Sequence, residues 1–261
     1  MSYRTYVPER NDGRPALVLV HGRARAAAAL FRAFLPMAVA RNVPLLVPTF
    51  PRTRYHHYQQ LAGVQGPLAA RGALLAVLED ARSNLGASVD TIDLLGFSGG
   101  AQFAHRFAML TTTRIRRLVV ASAGWYTYLR PGTPFPLGAG ASRLSGGMPV
   151  DVEAFLRLPV HVLVGALDTQ HGPGLRTSRA INRTQGDDRL VRALRWLDHL
   201  EERAYAHDLG PRVTFDLMPD TGHSFSQAVF TGGLVGRAFE FLHPVSPDAM
   251  PLQETDVELL P

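Results

Sequence analysis

The sequence predicts an α/β protein, with a mostly parallel twisted sheet and helices on both of its faces. Three observations predict it. Apolar runs of four to seven residues recur along the chain. Longer stretches of helical pattern lie between them. Several of the runs lack polar alternation, as strands do when both faces of a sheet are covered. Strand alternating with helix implies parallel neighbours, because a parallel pair needs a long crossover. A chain of 261 residues, 46% of them hydrophobic, can bury one substantial core. One domain over residues 1–243 is therefore expected, with a C-terminal tail at 244–261.

The expected strands are "ALVLV" (16–20), "VPLLVP" (43–48), "TIDLLG" (91–96), "RLVVASA" (117–123), "VHVLVG" (160–165) and "VTFDLM" (213–218). "PLAARGALLAVLEDARSNLG" reads as a helix from Pro67, a good first-turn residue, to Gly86, a good stop. "RLVRALRWLDHLEERAYAHDLG" sets Leu190, Leu194 and Leu197 on one face and stops at Gly210. "SQAVFTGGLVGRAFEFLH" is the last helix, with a break expected at Gly232, Gly233 or Gly236. Residues 127–156 fall outside this rhythm. They are rich in glycine and proline, and a long excursion inside a compact domain is read as a lid-like cover over a site. The tail shows no periodicity and is expected to lie loosely on the surface or to pack as a short strap. No internal repeat is present.

Composition excludes several functions. The net charge is +5 and the pI about 10.1, yet all 27 basic residues are arginine and they are scattered, with "RIRR" (114–117) the longest run. A nucleic-acid binder gathers its cations into a stripe, so no nucleic-acid partner is expected. No apolar run approaches the roughly 20 residues that cross a bilayer, so no membrane insertion is expected. The opening "MSYRTYVPERNDG" has no apolar signal region, which makes the cytoplasm the expected location. The absence of cysteine excludes disulfides and thiolate metal sites. His56-His57 has no carboxylate at ligand spacing, so no metal and no cofactor is expected.

The chemistry concentrates in "LLGFSGG" (94–100). Here G-x-S-x-G follows an expected strand and precedes the helical "GAQFAHRFAML". That is the context of a nucleophile elbow, a turn so tight that its flanking positions must be small. Ser98 then stands above the sheet at a helix N-terminus, and the Gly99 N–H points to where an oxyanion would form. A second donor is expected from the loop after "LVLVHGRAR": the Arg23 N–H first, Ala24 next, with His21 holding the loop.

A serine needs a base. His223, in the loop "MPDTGHSF" after the last strand, has the right place and chain order. His105 lies two turns along the helix from Ser98, about 10 Å away and too far to bond. His199 and His207 have charged neighbours and read as solvated surface; His161 reads as filler within a strand, and His243 ends a helix. The base needs an acid. Asp168, just past "VHVLVG", is favoured over Asp216 within the last strand and Asp220 near His223. Phe97, Trp125 and Tyr126 are candidate substrate-pocket residues, and "FPRTRYHHYQQ" (50–60) either lines the pocket or caps a loop.

These residues resemble those of the α/β-hydrolase superfamily over roughly 3–243. The opening "YRTYVPERNDGRPALVLVHG" and the doubled glycine of "GFSGGAQFAHRFA" make the chain most similar to its esterase and polyhydroxybutyrate-depolymerase-like group. The resemblance implies a serine hydrolase that cleaves a small-molecule carboxylic ester through an acyl-enzyme, with Ser98, Asp168 and His223 as triad. The alternatives are a peptidase or amidase using the same triad, and a non-catalytic relative that uses the scaffold for binding. The secreted depolymerases are disulfide-bonded and exported; with no cysteine here and no export signal expected, polymer degradation outside the cell is not expected.

Overall fold

The structure, a computed structural model, describes residues 1–10, 13–172 and 174–244. The chain passes through β1 (Ser2–Tyr6), β2 (Leu17–Val20), α1 (Ala27–Ala40), β3 (Leu45–Thr49), α2 (Ala69–Leu85), β4 (Ile92–Phe97), α3 (Gly99–Met109) and β5 (Ile115–Ala121). It continues through α4 (Val152–Leu156), β6 (Val160–Gly165), α5 (Arg179–Gln185), α6 (Arg189–Tyr205), β7 (Val213–Met218), α7 (Phe225–Phe230) and α8 (Leu234–Leu242). The strands form a single sheet in the order β1-β3-β2-β4-β5-β6-β7. β1 is antiparallel to β3, and every other pairing is parallel.

Alternate side chains of each strand enter opposite cores, as the two-residue period of a strand requires. Val18, Val20, Leu94, Leu118 and Val162 pack under Leu74 and Leu78 of α2, Phe103 and Phe107 of α3, and Trp196 and Leu200 of α6. Leu17, Leu19, Leu95, Val119 and Leu163 pack under Leu30 and Phe34 of α1 and Phe239 and Leu242 of α8. Each such side chain, removed from water, contributes about 1.5–3 kcal/mol. The two covered faces explain why the central strands read as unbroken apolar runs.

Boundaries follow local chemistry. α6 begins where the Asp188 side chain accepts the Val191 N–H at 2.8 Å. α2 ends at Gly86 as expected, but it starts at Ala69 and not at Pro67, because Leu68 takes a left-handed conformation ahead of it. The expected break in the last helix falls at Gly232-Gly233, where Gly233 has φ +66° and α7 gives way to α8.

Residues 127–156 depart from the lid-like reading. Tyr128, Leu129, Phe135, Ala139, Val150 and Phe155 are buried in the core beneath α3 and α6. Glycine and proline shape this segment, while its apolar side chains anchor it as part of the domain. The tail at 244–261 lies, from residue 245 onward, outside the described residues. Among the described residues no helix is long and apolar enough to cross a membrane.

Candidate active site

Ser98 occupies the sharp turn between β4 and α3. Its backbone has φ +56° and ψ −114°, a conformation that costs a non-glycine residue on the order of 1–3 kcal/mol. The Ser98 N–H donates to the Ala121 carbonyl of β5 at 2.8 Å, which ties the turn to the sheet. The glycines around it are there for contact distance. A Cβ on Gly96 would lie 2.1 Å from the Gly100 carbonyl oxygen, and one on Gly100 would lie 1.9 Å from the Val20 carbonyl oxygen. Both neighbours are backbone and cannot yield. Gly100→Ala is accordingly expected to lower stability by about 3 kcal/mol or more, since overpacking already costs 1–3 where side chains can adjust. Urea unfolding checks this, and an unchanged midpoint would refute the packing argument.

The structure brings together the three residues singled out from the sequence. Ser98 Oγ lies 2.9 Å from His223 Nε2. On the other side of the ring, Nδ1–H donates to Asp168 Oδ2 at 2.8 Å. Asp168 is 2% exposed and follows β6; His223 follows β7, and its imidazole is 28% exposed. Phe97 stacks on the imidazole with centroids 5.8 Å apart, and Phe225 packs edge-on against Phe97. Asp216 pairs instead with Arg237 at 2.9 Å, and Asp220 sits exposed in a turn with φ +47°. The Arg189 guanidinium donates to Asp168 Oδ1 at 3.2 Å and is itself buried. It thereby balances the carboxylate's charge and leaves Oδ2 to the imidazole. No sequence pattern marked Arg189, whose partner is 21 positions away.

The loop after β2 lies over the serine. A Cβ on Gly22 would stand 3.5 Å from Ser98 Cβ, and one on Gly99 would stand 3.4 Å from the Arg23 nitrogen. The Gly99 and Arg23 backbones thus approach each other beside Ser98, and among the described residues neither N–H donates to a backbone carbonyl in a turn or cap. His21 anchors this loop. Its Nδ1–H donates to the Gly22 carbonyl at 2.9 Å, and Nε2 accepts the Phe50 N–H at 3.1 Å. The Tyr58 hydroxyl donates to the His21 carbonyl at 2.7 Å. The aromatic stretch 50–60 therefore does both things expected of it: Phe50, Tyr55 and Tyr58 are buried under the loop, while His57, Gln59 and Gln60 face a cleft.

Comparison with solved structures gives the same architecture. The poly(3-hydroxybutyrate) depolymerase LpqC from Bordetella parapertussis superposes with a TM-score of 0.75 at 24% identity, covering 95% of this chain and 85% of that one. Poly(aspartic acid) hydrolase-1 from Sphingomonas sp. KT-1 gives 0.75 at 25%, with 92% of each chain covered. The Pyrococcus furiosus esterase Pf2001 gives 0.56 at 15%, with 92% of each chain covered. The chain has the α/β-hydrolase fold. No protein-family model matches it, and no curated protein sequence does.

In this fold two clefts meet at Arg23 and Gly174. One, of about 280 Å³, contains Ser98 and His223 and is walled by Leu30, Phe97 and Phe225. The other, of about 520 Å³, is walled by His57, Gln60, Gln102, Trp125 and Arg176. Phe97 and Trp125 thus line clefts as expected. Tyr126 does not: it is fully buried, stacked on Trp196 at 4.6 Å, and its backbone is held by the Gln185 amide. Burial pushes its hydroxyl pKa up. None of the residues lining either cleft belongs to 127–156; the segment after Asp168 supplies Gly174, Leu175 and Arg176 instead. His199, expected at the surface, is 6% exposed and accepts the Leu129 N–H at 2.9 Å. His105 is buried between Ala101 and Thr127, away from Ser98.

Proposed function

We propose that the protein is a serine hydrolase that cleaves carboxylic esters through an acyl-enzyme, with Ser98 as nucleophile, His223 as base and Asp168 as orienting acid. One observation carries this reading: the unbroken relay from Ser98 Oγ to His223 Nε2 at 2.9 Å and from Nδ1–H to Asp168 Oδ2 at 2.8 Å. The Asp168 contact fixes the tautomer in which Nε2 is free to accept the serine proton. Ser98 Oγ then attacks the ester carbonyl. The oxyanion that forms is taken by the Gly99 and Arg23 N–H groups, whose backbones meet beside Ser98. His223 returns its proton to the departing alkoxide. Water, deprotonated in turn by His223, releases the acid. Asp168, balanced by Arg189, stabilises the imidazolium in both half-reactions.

The names of the compared proteins, a depolymerase of poly(3-hydroxybutyrate) and esterases among them, support ester hydrolysis. A fluorophosphonate probe followed by peptide mass spectrometry tests the reading. Labelling is expected on the Ser98 peptide and nowhere else. An unlabelled protein would point to a binding relative of the hydrolases. Turnover of amides in preference to matched esters would assign the same triad to an amidase or peptidase.

A further inference from the structure

The larger of the two clefts is built from cations and amide donors. Arg23 and Arg176 line it together with His57, Gln59, Gln60 and Gln102. Among the described residues, no carboxylate lies within ion-pair distance of Arg23, Arg25, Arg52, Arg106 or Arg176. The sequence explains why. No Asp or Glu occurs between Asp12 and Glu79, or between Asp93 and Asp151, and these two stretches supply most of the cleft. Arg25, beside the loop, is close enough to both Arg23 and Arg52 to be repelled by each. Behind the wall, Arg106 is fully buried. Its guanidinium is held by neutral groups, at 3.0 Å from Thr127 Oγ1, 2.6 Å from the Gln59 carbonyl and 3.4 Å from Gln102 Oε1. It lies over the Trp125 ring at 3.8 Å, and Arg176 lies over the same ring at 5.1 Å. A buried cation without a counter-ion and two exposed cations on one cleft give a positive field that focuses into it.

The position of the base assigns the clefts to the two halves of an ester. The leaving oxygen must take its proton from His223, so the alcohol lies on the imidazole's side. His223 lines the apolar cleft with Phe97 and Phe225 and a further cleft of about 540 Å³ beside Asp168 and Arg189, and is absent from the lining of the cationic one. The acyl chain then runs past Arg23 toward Trp125 and Arg176. We propose that the cationic cleft is an acyl subsite for a terminal carboxylate, and that the preferred substrates are half-esters of dicarboxylic acids with an uncharged alcohol. This rests on the roles given above to Ser98 and His223. Trp125, stacked under Arg176, holds that side chain at the cleft wall, and Arg176 presents a planar fork suited to a carboxylate.

Monomethyl adipate and methyl hexanoate test this, since they differ only in a terminal carboxylate against a methyl group. Methanol release by the full chain is expected to give kcat/KM about tenfold higher for the adipate at low ionic strength, the order expected for one charge-assisted contact. The advantage, read as the ratio of the two kcat/KM values in each protein, is expected to shrink with added salt and to fall several-fold in Arg176→Gln. Arg176→Lys should retain part of it. Placing the carboxylate on the alcohol side, as 5-acetoxypentanoate against pentyl acetate, should give no preference. Equal or lower kcat/KM for the adipate, or a preference for the alcohol-side anion, would overturn the proposal and leave ester hydrolysis standing. If neither ester is cleaved, the ester-hydrolase reading fails. Calorimetry with the Ser98→Ala protein then still decides the subsite: tighter binding of monomethyl adipate than of methyl hexanoate supports it, and equal or weaker binding overturns it.

Discussion

Ser98→Ala is expected to lower kcat/KM for a 4-nitrophenyl ester by roughly four to six orders of magnitude, the scale on which triad nucleophiles act. The loss is chemical. The hydroxyl's hydrogen bond in the structure is to His223, at a partly exposed position, so its removal leaves no buried polar group stranded. Alanine inherits the same left-handed backbone as serine, and the strain at φ +56° is neither relieved nor increased. The thermal midpoint is therefore expected to move by no more than a degree or two while turnover disappears. Two measurements on one preparation check this, initial rate and thermal unfolding. More than about a thousandth of the wild-type rate, in protein free of contaminating esterase, would refute the nucleophile assignment. A large fall in the midpoint would mean that the residue supports the turn, and the lost activity would then say nothing about chemistry.

The legible parts of the molecule were those whose physics is local. β2 to β6 announce themselves because both faces of the sheet are covered there, which leaves Leu17–Val20 wholly apolar and Val160–Gly165 apolar but for His161, while the edge strand β7 shows as a shorter apolar pattern broken by Thr214 and Asp216. β1 did not, because an antiparallel edge strand reading "SYRTY" is half exposed and carries no such run. α1 went unread: "AAALFRAFLPMAVA" is apolar around much of its circumference and contains Pro36, which blurs the helical period. Ser98, Asp168 and His223 could be found because each follows a strand end, and strand ends are visible. The failures concern where a chain goes after it leaves the sheet. Tyr126 follows β5 as a pocket residue would, but then turns beneath α6 onto Trp196. His199 has Asp198 and Glu201 beside it in sequence, yet it lies on the face that carries Trp196 and Leu200 into the core. The glycines and prolines of 127–156 suggested a cover, whereas Phe135 and Phe155, spaced without a period, pin it to the core. Arg189 and Tyr58 act through partners distant in the chain, which no local pattern encodes.

Three imidazoles outside the Ser98–His223–Asp168 relay are expected to set the acid limit of the fold. His21, His105 and His199 are each buried, and each accepts a loop N–H on Nε2, from Phe50, Thr127 and Leu129 in turn. An imidazolium has no lone pair to offer, so protonation would break all three contacts. Burial lowers the pKa of His21 to about 4, with Arg25 adding to the effect. Burial likewise lowers His199 to about 4, helped by Arg130 and Arg203. His105, beside Arg106, is pushed well below the usual value. In the unfolded chain all three titrate near 6.5. The folded pKa is thus depressed and the folded form is neutral. Their contribution is fully present above about pH 6.5, and it is lost as pH falls from there toward 4, because the unfolded chain takes up protons that the folded chain refuses. The slope approaches about 1.4 kcal/mol per pH unit for each histidine. His21 and His199 together can therefore remove several kcal/mol of a total that, for a domain, is typically 5–15. Urea unfolding is expected to show a nearly constant free energy from pH 8 to 7 and a steep fall from 6 to 4.5. His199→Gln, whose amide oxygen can still accept the Leu129 N–H, should reduce the slope by one proton's worth. A free energy that stays flat down to pH 4.5 would mean that the buried rings take up protons without breaking their contacts. Because His21 holds the loop carrying the Arg23 N–H, loss of activity is expected to accompany the loss of stability in this range. It should be slowest to appear in assays short enough that unfolding lags behind turnover.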